Sequence, residues 1–299
     1  LHMYDLYVPM VPEIEYTVSY EQARDTVLQA LSPLGAGYVA AAQHAFADRW
    51  IDVMENEGKR SGAYSWGAYG THPFMLLNYQ PNMNNMFTVA HELGHSMHSH
   101  FTWNTQPFVY GTYTMFVAEV ASTLNEALLT HYLLETTQDR NLRLYIINNH
   151  LETFRTTLYR QTLFAEFERE IHTRAEVGES LTPESLSGLY KDLVTRYYSP
   201  AVSVDDLIAI EWARIPHFYS SFYVYQYATG ISASAALAHG ILTEGQPAVD
   251  RYLRFLASGS SDYSINLLRD AGVDMSTPAP VQQALDTFGR YLDEMEHLI

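Results

Sequence analysis

The sequence predicts a mostly α, multi-helix protein with one small β-ribbon. Three observations carry this. Apolar residues recur at helical spacing through most of the 299 positions. Caps and breakers divide that pattern into helices, and a single glycine-rich aromatic stretch reads as strand. Apolar residues make up 47% of the chain and charged residues 17%, enough to bury a sizeable core.

The elements follow in order. Ser19 with Gln22 forms a capping box, and a helix runs from there to about residue 31, where Pro33 and Gly35 stop it. A second helix is predicted over 38–55. Gly58, Gly62, Gly67 and Gly70 then punctuate a stretch ending in Pro73-Phe-Met-Leu-Leu-Asn-Tyr79, the ribbon. Helical spacing returns over about 84–101 and 114–135. A very long helix, about 139–177, carries the apolar stripe Phe154, Leu158, Phe164, Phe167 and Ile171. At 1.5 Å per residue it is roughly 60 Å long unless it breaks. Thr182-Pro183-Glu184 supplies a cap, a first-turn proline and a first-turn acid. Ser203 with Asp206 opens a shorter helix, and another is predicted from just after Pro216 to about 242. Two or three more finish the chain, one starting after Pro280.

Charge and composition exclude several functions. Acids exceed bases 34 to 17, a net charge of −17, which argues against a nucleic-acid binder and against docking on an anionic membrane. With no cysteine there is no disulfide scaffold, thiolate metal site or cysteine nucleophile. Residues 1–20 lack a basic start followed by an apolar run, so no signal peptide is expected. No stretch is apolar enough to span a bilayer, and a cytoplasmic location is expected. The chain begins with Leu1, which suggests a processed product or a fragment. No repeats or linkers divide it, and residues 1–299 read as one domain.

The chemistry concentrates in His91-Glu92-Leu93-Gly94-His95. On a helix, His91 and His95 share a face one turn apart and can bind one Zn²⁺; Glu92 can reach a metal-bound water as general base. A shuffled chain of this composition yields the pattern at most about 0.06 times, counting every acid as glutamate. A plain helix with core or surface histidines is the competing reading. Zinc hydrolases need a third protein ligand, and Glu119 lies 24 residues past His95 among apolar Phe116, Val117, Val120 and Leu124. A lone carboxylate there is costly unless paired or metal-bound. Glu126, two turns on, either orients a zinc-bound histidine or is a surface acid.

His91-Glu-Leu-Gly-His-Ser-Met-His98 followed by Phe116-Val-Ala-Glu119 resembles the oligoendopeptidase F branch of the thimet oligopeptidase superfamily of zinc metallopeptidases. The resemblance covers essentially the whole chain, including the Leu1–Tyr7 opening, Gly62-Ala-Tyr64 and the 222–230 segment. It implies a zincin-type catalytic domain holding one Zn²⁺ per chain through His91, His95 and Glu119, with Glu92 as base. It gives His98 a structural or supporting role and His100 none. It also implies that the chain is the C-terminal half of a longer peptidase whose N-terminal helical region is absent.

Residues 216–227, Pro-His-Phe-Tyr-Ser-Ser-Phe-Tyr-Val-Tyr-Gln-Tyr, are aromatic and nearly uncharged. Read alone, they form a core helix with tyrosine tips at the surface. The resemblance implies oxyanion and substrate donors from this region. His217 matches the family histidine; Tyr227 is the first choice of tyrosine, Tyr223 the second, and Tyr219 and Tyr225 stay open. The ribbon over 63–79 leads into the zinc helix, and an exposed strand edge there binds peptide backbone, with Gly67, Ala68 and Tyr69 as candidate contacts. A plain structural hairpin is the alternative.

The expected function is zinc-dependent endopeptidase action on short peptides. The alternatives are a helical peptide-binding protein, an inactive fragment with a retained zinc site, or a zinc carboxypeptidase, for which Arg214 is the nearest cationic candidate.

Overall fold

Helix caps set the framework. The structure, a computed structural model, describes residues 1–11 and 16–299. Ser19 Oγ accepts from the Gln22 amide and Gln22 caps Ser19 in return, opening α1 (Tyr20–Ala30). Gly35, at φ 87°, starts α2 (Ala36–Ala47). Eleven α-helices are found among the described residues. The chain divides into two compact units, Leu1–Glu13 with Leu151–Ala228, and Ile14–His150 with Thr229–Ile299.

The larger unit holds a three-stranded sheet of β1 (Ile51–Asp52), β2 (Tyr64–Trp66) and β3 (Phe74–Leu76), in the order β1-β3-β2. β2 and β3 form the predicted antiparallel ribbon, Ser65 opposite Met75. β1 is a correction to the sequence reading. The helix predicted over 38–55 ends at Ala47, and Arg49 takes φ 62°. Trp50 is then buried against the His72 ring, centroids 5.1 Å apart, and β1 pairs in parallel with β3. That pairing is non-local, so no local pattern announces it.

The centre of this unit is α3 (Met83–Thr105) packed on α4 (Met115–Thr136). Asn82 caps α3 by accepting from the Asn85 amide at 2.9 Å. Leu93 and Met97 of α3 and Val120, Leu124 and Leu128 of α4 are all buried where these two helices pack. Buried Asn125 on α4 donates to the Ala90 carbonyl at 3.1 Å and accepts from the Tyr38 hydroxyl at 3.1 Å, so the two helices cannot slide without breaking buried hydrogen bonds. α5 (Arg140–Phe154), a π-helical turn (Arg155–Tyr159) and α6 (Arg160–Glu176) follow one another without a gap, so the long helix predicted over about 139–177 is present, with a π turn inside it. Three helices close the chain: α9 (Gln246–Leu256), α10 (Ser264–Asp270) and α11 (Ala279–Leu298).

In the smaller unit, α6 and α7 (Pro183–Tyr198) pack around Phe164, Phe167, Tyr190 and Leu193. Glu211 is buried among them but fully engaged: Arg160 approaches at 2.6 Å, Arg214 pairs with it, and the Tyr190 hydroxyl donates at 2.7 Å. The short helix expected near Ser203 is a 3₁₀ helix, Asp206–Arg214. The helix predicted from Pro216 to 242 is also revised. A 3₁₀ turn (Pro216–Tyr219) comes first, a bend follows, and α8 runs only over Tyr225–Glu244. Phe222 sits at φ 54° in the bend, its amide donating at 2.7 Å to buried Glu168 of α6. A carboxylate from another helix thus takes the amide that a continuous helix would have used.

Candidate metal centre

His91 and His95 are one turn apart on α3, and their Nε2 atoms lie 3.2 Å from one another. Glu119 of α4 brings Oε2 to 3.4 Å from the first and 3.5 Å from the second. Tetrahedral zinc with bonds of about 2.0–2.1 Å separates its ligands by about 3.3 Å. The triangle of donor atoms therefore has the size of one face of such a site. It is also the group of histidines and acids among the described residues that could hold a metal ion.

Each donor is oriented from behind. Glu126, two turns along α4 from Glu119, places Oε1 2.5 Å from His91 Nδ1, which leaves Nε2 as the free donor. His95 hydrogen-bonds the Ala118 backbone. Ser122, one turn after Glu119, donates to Oε2 at 3.0 Å. Burial lowers the His91 imidazole, but the Glu126 hydrogen bond and the charges of Glu126, Glu119 and Glu92 outweigh it and raise it to about 9. His95, buried and next to His91, is lowered to about 4. The surrounding acids demand positive charge at this point.

Glycine makes the approach possible. A Cβ added to Gly94 would meet the Ala121 carbonyl oxygen and Ser122 Cα at 2.6 Å. Without a side chain at 94, α4 lies directly against the motif turn of α3, and Glu119 reaches the two imidazoles.

Glu92 is 7% exposed, and its Oε2 has no hydrogen-bond partner among the described residues. Burial, reinforced by Glu119 and Glu126 and opposed by His91 and a Ser65 backbone hydrogen bond, raises its carboxyl above the usual range. That is the shift a proton acceptor working near neutral pH needs. Ser65 belongs to β2, and its hydroxyl lies 2.8 Å from that of Ser96 on α3, so the ribbon is fastened beside the motif. β2 is an edge strand among the described residues. Gly67, Ala68 and Tyr69, just beyond it, line a cavity of about 650 Å³ together with His95 and Glu119.

The remaining candidates separate. His98 is 1% exposed, stacks on Tyr113 with centroids 3.7 Å apart, and is lowered by burial to about 3; it lies outside the triad. His100 contacts Asn104 and Trp50. In the smaller unit, His217 stacks on Tyr223 at 5.7 Å and meets Tyr227 edge-on at 6.1 Å, while the two tyrosine hydroxyls are 3.1 Å apart. Tyr223 precedes α8, so the pair meets across a bend and not along one helix face. Tyr219 is 92% exposed and Tyr225 40%. Sequence reasoning missed Gly94, Ser122 and Ala118. Ser122 was legible as the residue one turn from Glu119; Gly94 and the Ala118 backbone needed the helix packing.

The model of peptidase family M3 matches residues 1–287. The chain belongs to peptidase family M3. Oligopeptidase PepF of Bacillus subtilis is 54% identical over 299 residues, covering all of this chain and 45% of the relative. An oligoendopeptidase F homolog of Lactococcus lactis is 45% identical, again over all of this chain and 50% of the relative. The crystal structure of oligoendopeptidase-F from Enterococcus faecium superposes with a TM-score of 0.76 at 39% identity, covering 100% of this chain and 46% of that one. The M3 chain thus spans about half the length of the relatives it matches. Membership implies a metal cofactor, and the His91, His95 and Glu119 group is the one that could hold it. No helix among the described residues is long and apolar enough to cross a membrane.

Proposed function

We propose that this M3 chain is the catalytic part of a zinc-dependent metalloendopeptidase hydrolysing peptide bonds in short peptides. The observation that carries the reading is the donor triangle of 3.2, 3.4 and 3.5 Å backed by Glu126. His91, His95 and Glu119 would hold one zinc ion, leaving a fourth position open. Bound zinc supplies Lewis acidity, which activates water near neutral pH and polarises the scissile carbonyl. Glu92 takes the proton of the attacking water and delivers it to the leaving amine. The β2 edge and Gly67–Tyr69 align the peptide backbone as an added strand. His217, Tyr227 and Tyr223 are assigned as donors to the oxyanion and the substrate, supported by their mutual clustering and by the family resemblance.

The carboxypeptidase alternative is disfavoured by charge. Arg214, its candidate clamp, is paired with Glu211, and no Lys or Arg lines the cavity at the triad among the described residues. Purified protein supplemented with zinc should retain about one ion per chain and lose it in His95→Ala. Glu92→Gln should keep the metal and stop cleaving a quenched peptide. Absence of bound zinc in the parent chain would overturn the reading, and undiminished cleavage by Glu92→Gln would remove Glu92 as base.

A further inference from the structure

The cluster of His217, Tyr223 and Tyr227 is made by a bend, and one buried acid sets that bend. His217 and Tyr227 are ten positions apart, and a continuous helix would separate them by about 15 Å along its axis. His217 and Tyr223, six apart, would be separated by about 9 Å. The His217 ring centroid instead lies 6.1 Å from that of Tyr227 and 5.7 Å from that of Tyr223. Tighter turns achieve this. The Ser220 amide donates to the His217 carbonyl at 3.0 Å, and the Tyr223 amide to the Ser220 carbonyl at 3.1 Å.

The Phe222 amide is the point of decision. In a continuous helix it would donate to the Phe218 carbonyl. Here it donates to Glu168 Oε1 of α6 at 2.7 Å. Its neighbours are anchored by apolar burial. Phe218 packs on Phe164 and Phe167 with centroids 5.6 and 5.4 Å away, and Val224 is fully buried. Phe222 itself is 45% exposed, so burial does not fix it. Both of its holds come from one face of α6. Glu168 takes the amide, and His172, one turn on, sets its ring against the Phe222 ring. Glu168 is 2% exposed and pairs with no Lys or Arg among the described residues. A carboxylate buried in this way is costly unless its hydrogen bond is a strong one, and an ionised acceptor on a backbone amide is strong.

We infer that Glu168, supported by His172, is a positioning residue for the oxyanion and substrate donors: it fixes the bend that assembles His217, Tyr223 and Tyr227. The inference rests on the peptidase reading above and adds a residue that acts through the bend and not on the substrate.

The test measures kcat and KM of zinc-loaded variants on a quenched peptide. Glu168→Met keeps the volume and removes the acceptor. It should lower kcat by about 10–100-fold, since a donor displaced by about 1 Å loses that much, and leave KM within about threefold. Glu168→Gln keeps an oxygen for the amide and should return kcat to within about threefold of the parent. Zinc content should not change in either, because His91, His95 and Glu119 stand on α3 and α4. In a background lacking the Tyr223 and Tyr227 hydroxyls, the effect of Glu168→Met should shrink at least about fivefold. An unchanged kcat in Glu168→Met, no recovery in Glu168→Gln, or fully additive losses each overturn the inference and leave the peptidase reading intact. If Glu168→Met does not fold, His172→Ala probes the same bend from a half-buried position. There kcat should fall by at least about threefold, and an unchanged value overturns the inference. If the zinc-loaded parent cuts nothing, the peptidase reading is what fails, and amide hydrogen exchange decides the bend. Residues 217–227 should exchange at least about tenfold faster in Glu168→Met than in the parent or Glu168→Gln; equal exchange overturns it.

Discussion

Gly94→Ala is the smallest change that probes how the two helices build the donor triangle. In an exposed helix interior this substitution stabilises by about 0.5–1 kcal/mol, because alanine has less backbone freedom to lose. Here the new methyl would stand 2.6 Å from Ser122 Cα and from the Ala121 carbonyl oxygen. Carbon atoms prefer about 3.5 Å, so α4 must retreat by roughly 0.9 Å. Overpacking of this kind costs about 1–3 kcal/mol. Glu119 travels with Ser122, and metal–ligand distances tolerate only about 0.2 Å. The expected result is a fold less stable by about 1–3 kcal/mol and zinc affinity reduced by at least about tenfold. Denaturant unfolding in a chelator measures the first, and competition with a chromophoric chelator the second. Gly289→Ala on α11, where an added Cβ meets nothing within 4 Å, is the control and should stabilise. If Gly94→Ala also stabilises and binds zinc normally, the close approach at 94 does not set the site.

Three further outcomes follow from particular contacts. Glu126→Ala should weaken zinc binding by about 10–100-fold, since it removes the carboxylate that fixes the His91 ring; unchanged affinity in the chelator competition would show the 2.5 Å contact to be dispensable. Tyr227→Phe should lower kcat by about 10²-fold if its hydroxyl meets the oxyanion, and an unchanged rate would pass that role to Tyr223, 3.1 Å away. His98, lowered by burial to about 3, stays neutral when folded but protonates below about 6.5 when unfolded, so stability falls as pH drops below that value. At pH 5 its share is about 2 kcal/mol, and His98→Phe should lose correspondingly less stability between pH 7 and pH 5 in denaturant titrations.

The parts of the fold written locally were legible. The Ser19–Gln22 box, the Thr182-Pro183 start and the ribbon all appear where caps, proline and the glycine-punctuated aromatic stretch place them. The triad was legible because its spacing is itself the chemistry: four residues for one helical turn, and an acid in an apolar run. What failed was decided at a distance. Trp50 is drawn out of a helical pattern by His72 and by pairing with β3. Residues 216–224 carry aromatic spacing that suits a helix, yet Glu168 captures the Phe222 amide and bends the chain. The bend still brings His217, Tyr223 and Tyr227 together, though not along the single helix face that the spacing of the two tyrosines predicts.

That bend sets a local strain against a local contact. A left-handed conformation costs a residue with a Cβ about 1–2 kcal/mol, and Phe222, at φ 54°, bears it beside a helix that a glycine would leave unstrained. Glycine would also release the ring from His172, whose centroid lies 4.6 Å away, and let the neighbouring tyrosines wander. The strain at 222 is thus set against a ring contact that holds the segment carrying His217, Tyr223 and Tyr227 in one conformation.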